Sequence, residues 1–449
     1  MELSLTRQEL LQVSTTCRKT MRLLPLGKKK QQKVVVGDDT GVVQCFGMKK
    51  DQVEMIFKTP PAEREIGRIE LAGVGGEVDK SGEEPVKIFY ASGGTVRALL
   101  RKGKEFLRFN TNLTEPIRSM FVQGEDIYTG GEYIFNHFVQ LKDTAFFMAN
   151  DRINDLTSEY VTGGQRAEAV LACQDRMIRV LTGSDLLYEA SIDGPAVTIE
   201  RYHNPRSSTP GVSQGFGPSS PGPSEHENNN GRFKELLYGT ENGLIGQLLL
   251  DASMMRRGWV VDPALEGRRG KAGGVQCMCS ADLTKDGMKD IMVGRDDGTV
   301  EVWCFDLGPH PKLVFERGLQ ESVTSIESGY VTNGSFDEVV LCTYSGKLLS
   351  FSSEPSSSVV TEAGQRSESK KSKADKKIRA LRAELEKLHE QVEREKVKHG
   401  QGGDEAFIAA DMQFKINDKW ALSPEEACYQ LHIELNMPLE TILLQSDVP

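Results

Sequence analysis

The sequence is poor in the residues that usually carry chemistry. Its 449 residues hold seven histidines and three tryptophans. His203 and His226 border or lie in a Ser/Pro/Gly-rich tract, and His310 sits in a proline-containing loop. His389 and His399 fall in a charged helical segment and His432 near the C-terminus, which leaves only His137 in a strand-rich repeat. One histidine cannot by itself build a catalytic triad or a metal cluster. The eight cysteines form no CxxC pair, and Cys277 and Cys279, the closest two, share one face of a strand. Neither a zinc site nor a disulfide framework is expected, and a reducing, cytosolic compartment fits best. No run of 18 apolar residues and no signal-peptide pattern occurs, so no membrane span is expected. Phosphate-cradling GxxxxGK[ST] and helix-opening GxGxxG motifs are missing too. The net charge of -10 gives no global drive toward nucleic acid or anionic lipid. Nothing among the remaining carboxylates and thiols is arranged as a catalytic motif, and the chain reads as a non-enzyme that needs no cofactor.

What the sequence does have is a repeat. "VVVGDDTGVVQCF" (34–46) runs an apolar strand into a Gly/Asp turn and out again in alternation. The pattern returns at 87–100, 126–138, 169–181, 235–250, 291–305 and 338–351, with turns near residues 38, 93, 130, 174, 241, 297 and 345. Asp-Gly and Asn-Gly supply the positive φ of a tight hairpin. Hairpins recurring at such spacing mark propeller blades, each a four-stranded sheet. Seven copies therefore predict a seven-bladed β-propeller over 1–355. The copy at Gln174-Asp175-Arg176 lacks the glycine, and no Gly-His…Trp-Asp signature recurs, so the propeller is a divergent one. The widest gap holds residues 203–231, rich in Ser, Pro, Gly and Asn. Such composition buries too little surface to offset its ordering entropy, and a disordered insertion is expected there.

After a polar linker (356–373) the period changes. Ile378, Leu381, Leu385, Leu388 and Val392 step by three and four as the a and d positions of a heptad, with Arg382 and Glu384 at flanking e and g. Three heptads make a stripe that needs a partner, so a coiled coil over 374–399 is expected to pair with another protein's helix. Short alternating strands follow over 411–449. They suggest the start of a β-sandwich that stops before its strand complement is reached.

Residues 282–290, "DLTKDGMKD", are the best metal candidate. Asp282, Asp286 and Asp290, with Gly287 permitting the bend, resemble the calcium loops of integrin-type propellers. Thr284 stands where those loops place a carboxylate or amide, which leaves the ligand count short for Ca²⁺. A polar turn between two strands is the competing reading and the one preferred here, so no metal ligand is assigned. Basic runs at 27–33, 101–104 and 369–377 read as solvated segments, the last with the composition of a localisation signal or an acidic-lipid contact.

Several long segments in chain order carry a resemblance: "KVVVGDDTGVVQCFGMKK" (33–50), "TNLTE" (111–115), "VLACQDRMIRVLTGSD" (170–185), "VGRDDGTVEVW" (293–303), "ESVTSI" (321–326), "CTYSG" (342–346), "FKINDKW" (414–420) and "LLQSDVP" (443–449). Together they resemble the family of the seventh Bardet–Biedl syndrome protein, a subunit of the BBSome. The resemblance runs through the whole chain, with 203–231 the main departure. It implies an N-terminal propeller, a coiled coil and a γ-adaptin-ear-like β-sandwich, of which this chain is expected to carry only the beginning. It also implies a non-enzymatic scaffold in a coat-like complex that moves membrane-protein cargo into and out of cilia. The implied partners are other BBSome subunits, above all the second Bardet–Biedl syndrome protein through the coiled coil. Chaperonin-type assembly factors are implied too, with indirect contact to an Arf-like GTPase, intraflagellar transport and cargo. The implied locations are cytoplasm, ciliary base and the ciliary membrane periphery. Another propeller-coil scaffold of a vesicle coat or of intraflagellar transport is the alternative, followed by a calcium-binding propeller or a propeller hydrolase.

Overall fold

The computed structural model describes residues 3–27, 30–49, 52–73, 86–111, 114–203, 233–263, 272–305, 310–353, 416–423 and 428–435. The coiled-coil seam Ile378, Leu381, Leu385, Leu388 and Val392, the linker 356–373 and the 203–231 insertion beyond His203 lie outside the described residues. Two compact units divide the chain, residues 1–354 and 355–449.

In the first unit seven four-stranded antiparallel sheets follow one another, which is the expected seven-bladed propeller. Each hairpin read from the sequence forms the two middle strands of a blade, from Val34–Gly37 with Val43–Lys49 in blade 1 to Glu338–Thr343 with Lys347–Ser352 in blade 7. Those strands are buried on both faces, because each blade is sandwiched between two others. Glu168–Cys173 and Asp290–Arg295 contain no exposed residue at all. The inner strands are Met21–Leu23, Ile66–Ala72, Ser119–Gln123, Ile153–Glu159, Ala196–Tyr202, Val275–Ala281 and Val323–Gly329. Blade 7 takes its outer strand, Thr6–Gln12, from the start of the chain, with Thr6 opposite Ser352 and Gln12 opposite Lys347.

The core is divided among the interfaces. Seven apolar clusters occupy the seven junctions between adjacent blades, such as Val34, Phe46, Leu10 and Val340 between blades 1 and 7. Close approach demands a small residue at one repeated position, two residues past the point where the inner strand faces the axis. Gly37, Ala91, Gly130, Ala172, Gly239, Gly294 and Cys342 fill it. A Cβ on Gly239 would stand 2.3 Å from Val275, and one on Gly294 2.6 Å from Val323, the first residues of the following inner strands. The outer strand of every blade carries a register shift, as between Ala98 and Leu99 or Val302 and Trp303. Such bulges blunt an unpaired edge.

The aspartates of the opening hairpin hold its corner. Asp38 Oδ1 accepts from Thr40 N–H (3.1 Å), the Thr40 hydroxyl (2.6 Å) and Val42 N–H (3.2 Å). In the glycine-less copy Arg176 itself adopts φ +64°, and Asp175 accepts from Met177 N–H at 3.1 Å. In the second unit, Ile416–Ser423 and Cys428–Leu435 form an antiparallel pair with Trp420 opposite Leu431. Replacing Gly239 by Ala should lower the unfolding free energy by about 1–3 kcal/mol, since the core would be overpacked. Gly318→Ala, where an added Cβ meets nothing within 4 Å, should stay within about 0.5 kcal/mol of the parent. Urea denaturation of both variants measures the contrast.

Candidate functional site

Inner strands face the propeller axis, and their side chains, joined by Lys19 from the turn just ahead of Met21–Leu23, build a buried ionic network there. Lys19 Nζ donates to Asp155 Oδ2 at 2.7 Å and to Ile199 O at 3.0 Å. Ile199 N–H reaches the same Oδ2 at 3.0 Å, while Arg68 Nη2 lies 3.2 Å from Asp155 Oδ1. Arg68 Nε donates to Glu70 Oε1 at 2.9 Å, and Arg22 Nη2 to the same oxygen at 2.7 Å. Arg22 Nη1 continues to Glu327. One chain of charges thus ties blades 1, 2, 4, 5 and 7 together across the axis. Burial alone would push the Asp155 carboxyl up, yet Arg68, Lys19 and the Ile199 N–H outweigh it and hold it well below the usual range. Burial likewise raises Glu327, which Arg22 offsets only in part.

Register defines a single tier of this channel. Arg22, Glu70, Phe121, Thr157, Glu200, Cys279 and Glu327 pair with Val35, Phe89, Tyr128, Val170, Leu237, Met292 and Val340, each two residues before the small position described above. Six of the seven line an axial cavity of about 470 Å³. Three blades write the tier as Ile-Glu, at Ile69-Glu70, Ile199-Glu200 and Ile326-Glu327. That repeated dipeptide was the available sequence signal, and the hairpin-centred reading passed over it.

Residues 282–290 resolve into a structural clamp. Asp290 Oδ2 accepts from Leu283 and Thr284 N–H at 2.8 Å each, and the Thr284 hydroxyl lies 3.2 Å from Oδ1. Burial raises this carboxyl to about 6, against the pull of those bonds. Glu168 repeats the arrangement with Val161 and Thr162, and Glu338 with Thr332 and Asn333. An apolar residue, a threonine and an acid six residues on recur as Leu283-Thr284-Asp290, Val161-Thr162-Glu168 and Val331-Thr332-Glu338. Thr284 is therefore the hydroxyl partner of Asp290, in a place where a calcium loop would need a ligand. Asp282 caps Asp286 and Gly287 N–H at 3.1 and 3.0 Å. Among the described residues no group of three or more His, Cys, Asp or Glu is placed to hold a metal ion.

The remaining candidates are core residues. His137 Nε2 lies 2.7 Å from Asp126 Oδ1, and its ring stacks on Tyr128 at 4.3 Å. Burial lowers its pKa more than Asp126 raises it. Burial pushes the Cys45 and Cys342 thiols up to about 12 and Cys173 to about 11, which leaves them unreactive at neutral pH.

Comparison with known proteins agrees with this architecture. Residues 21–353 match the family model described as the BBS7 beta-propeller, and 412–449 match the BBS7 GAE domain. A curated mouse protein, BBSome complex member BBS7, is 39% identical over 452 aligned residues, covering 100% of this chain and 58% of its own length. BBSome complex member bbs-7 of Caenorhabditis elegans is 26% identical, with 99% and 57% covered. The chain thus spans somewhat under three-fifths of the length of these relatives. Among solved structures, BBS1N in complex with ARL6DN superposes with a TM-score of 0.54 at 12% identity, over 79% of this chain and 98% of that one. The WD40 propeller domain of Doa1 gives 0.51 at 14%, over 79% and 98%. At such identities the two structures speak for the fold alone.

Asp155→Asn should cost about 3–5 kcal/mol at pH 7, because Lys19 and Arg68 lose their buried counter-charge. A carboxyl with a lowered native pKa contributes its full stabilisation above its unfolded pKa of about 4, and that contribution is lost progressively below it, as pH falls toward and through the depressed native pKa. Denaturation curves of the parent and the variant should accordingly converge toward acid. For residues 282–290, the expected melting temperature is the same in excess Ca²⁺ and in chelator, since a ligand bound only by the native state must raise it. A calcium-dependent rise in calorimetry would restore the metal reading.

Proposed function

The chain belongs to the BBS7 family, and from that membership we propose that it acts as a non-enzymatic scaffold and adaptor subunit of the BBSome. In this reading the complex is a coat-like assembly that carries membrane-protein cargo to and from cilia. The observation that carries the proposal is the family match over residues 21–353, joined by relatives named as BBSome complex members in mouse and worm. The chemistry of the buried side chains agrees with a scaffold role. The buried carboxylates Asp155, Asp290, Glu168 and Glu338 are all engaged in ion pairs or loop clamps, and His137 is paired with Asp126. Burial holds the deep thiols protonated.

The partner contact rests on the seam Ile378, Leu381, Leu385, Leu388 and Val392. Apolar residues at a and d positions pack into a facing helix, and the second Bardet–Biedl syndrome protein is the proposed owner of that helix. Further BBSome subunits and chaperonin-type assembly factors complete the partner set. Contact with an Arf-like GTPase, intraflagellar transport and cargo is indirect. The proposed setting is the cytoplasm and the cilium, at its base and at the periphery of its membrane. Paired changes Leu385→Asp and Leu388→Asp should abolish co-purification with the partner subunit from ciliated cells while the propeller keeps its melting temperature. Undiminished co-purification would refute the coiled-coil contact.

A further inference from the structure

Two of the basic runs in the sequence meet on the folded surface. The run 27–33 belongs to the connection from Met21–Leu23 to Val34–Gly37 in blade 1, and 101–104 form the turn from Thr95–Leu100 to Glu105–Asn110 in blade 2. In antiparallel blades these two connections fall on the same face, opposite the hairpin corners near residues 38 and 93. Arg101 joins them, its Nη2 donating to Pro25 O at 2.8 Å. Gly103 rests on blade 1 as well, since a Cβ there would stand 2.4 Å from Phe57 Cγ. The blade 1 connection is anchored at its base. Leu24 N–H donates to Lys33 O at 2.8 Å, Gln32 N–H to Tyr330 O at 2.6 Å, and Gln31 Nε2 to Thr332 O at 2.8 Å.

The rim so formed is cationic and carries apolar tips. Lys30, Lys87, Lys102 and Lys104 are exposed, while Lys33 and Arg101 are half-buried. Lys87 belongs to the rim because it stands opposite Leu100 in register, with its Nζ 5.5 Å from the centre of the Phe106 ring. The acids of the adjoining strands face other cations, Glu105 lying 3.8 Å from Arg97 and Glu54 3.4 Å from Lys49. Residues 74–85, outside the described residues, carry Glu77, Asp79, Glu83 and Glu84 against Lys80, which the six rim cations outnumber. Among those cations Leu26 is 47% exposed and Leu100 40%. The rim thus opposes the net charge of -10 carried by the whole chain. Lysines on flexible stems respond to charge rather than to the shape of a partner. Leucines on protruding turns gain only where hydrocarbon receives them. A nucleic acid offers phosphates without hydrocarbon, whereas an acidic lipid surface holds anionic headgroups directly above it.

We propose that this rim is a docking surface for an anionic lipid bilayer, with Lys30, Lys87, Lys102 and Lys104 against the headgroups and Leu26 and Leu100 entering the interface. The proposal stands on the propeller surface alone, so its failure leaves the family assignment and the coiled-coil contact untouched. The test is co-sedimentation of the full chain with vesicles. Every protein compared carries the lysines of 369–377 changed to Gln, so that this other basic run cannot supply the binding. Vesicles of phosphatidylcholine with about 30% phosphatidylserine should retain the chain at least tenfold more strongly than phosphatidylcholine alone, and salt should reduce the difference by screening. Lys102→Gln with Lys104→Gln should weaken retention at least tenfold, at about fivefold for each lysine. Leu26→Ser with Leu100→Ser should weaken it at least threefold. Lys58→Gln with Arg317→Gln, which removes two exposed charges near the hairpin corners of the opposite face, should leave it unchanged. All six positions are exposed, and equal melting temperatures check that each variant folds. Polyglutamate at the charge concentration of the lipid should leave the chain on the vesicles. Displacement by it would assign the rim to an acidic protein and overturn the proposal. Equal retention on both vesicles, no retention, indifference to the lysine or the leucine changes, or an equal loss in the Lys58/Arg317 variant overturns it as well.

Discussion

Everything in the propeller depends on each blade being covered by its two neighbours. The middle strands are apolar on both faces, so an isolated blade would expose two flat apolar surfaces. The core is consequently seven interfaces arranged in a ring. The repeated small position sets how near two blades come, because the first branched residue of one inner strand rests on the glycine of the blade before it, as Val275 does on Gly239 and Val323 on Gly294. A ring of this kind has no spare junction. The interface between blades 1 and 7 must be as well packed as the rest, and Leu10 from the N-terminal strand is part of it.

The apolar interfaces leave the axis unfilled, and charges occupy it. Burying a carboxylate is costly unless it is paired and hydrogen-bonded. Asp155 meets that requirement with Lys19, Arg68 and a backbone amide drawn from three other blades. The network therefore specifies which blades face which, in addition to whatever stability it contributes. At the rim, acids serve the backbone. Asp38, Asp290, Glu168 and Glu338 each satisfy loop N–H groups that no strand reaches.

The middle hairpins were legible because full burial demands unbroken apolar runs and tight corners demand Asp, Asn or Gly. Even the copy without glycine could be read, since Arg176 takes the left-handed conformation and Asp175 supports it. Three features were hidden for physical reasons. The closing strand Thr6–Gln12 lies at an edge with mostly exposed side chains and a bulge, so it has no clean period. Inner strands carry an extra residue near their starts in blades 2, 4, 5, 6 and 7, which breaks alternation where the axial charges begin. The threonine at 284 looked like a defective metal ligand because the six-residue spacing it shares with Thr162-Glu168 and Thr332-Glu338 becomes a clamp only when the loop folds back on the strand that carries the acid. The helical seam was read from spacing alone and stands outside the described residues.

The outer strand of blade 7 imposes an order on the making of the protein. The Gln12 side-chain amide donates to Ser345 O across a sequence distance of 333 residues. During synthesis the first strand thus leaves the ribosome long before the sheet that receives it exists, and six blades can stack while the ring stays an open arc. Contacts so distant along the chain form late and slowly. Until they do, both end blades present an uncovered face, and the arc can close on itself or accept the end blade of a second arc. How long that gap stays open is set by where one seven-residue strand lies in the chain.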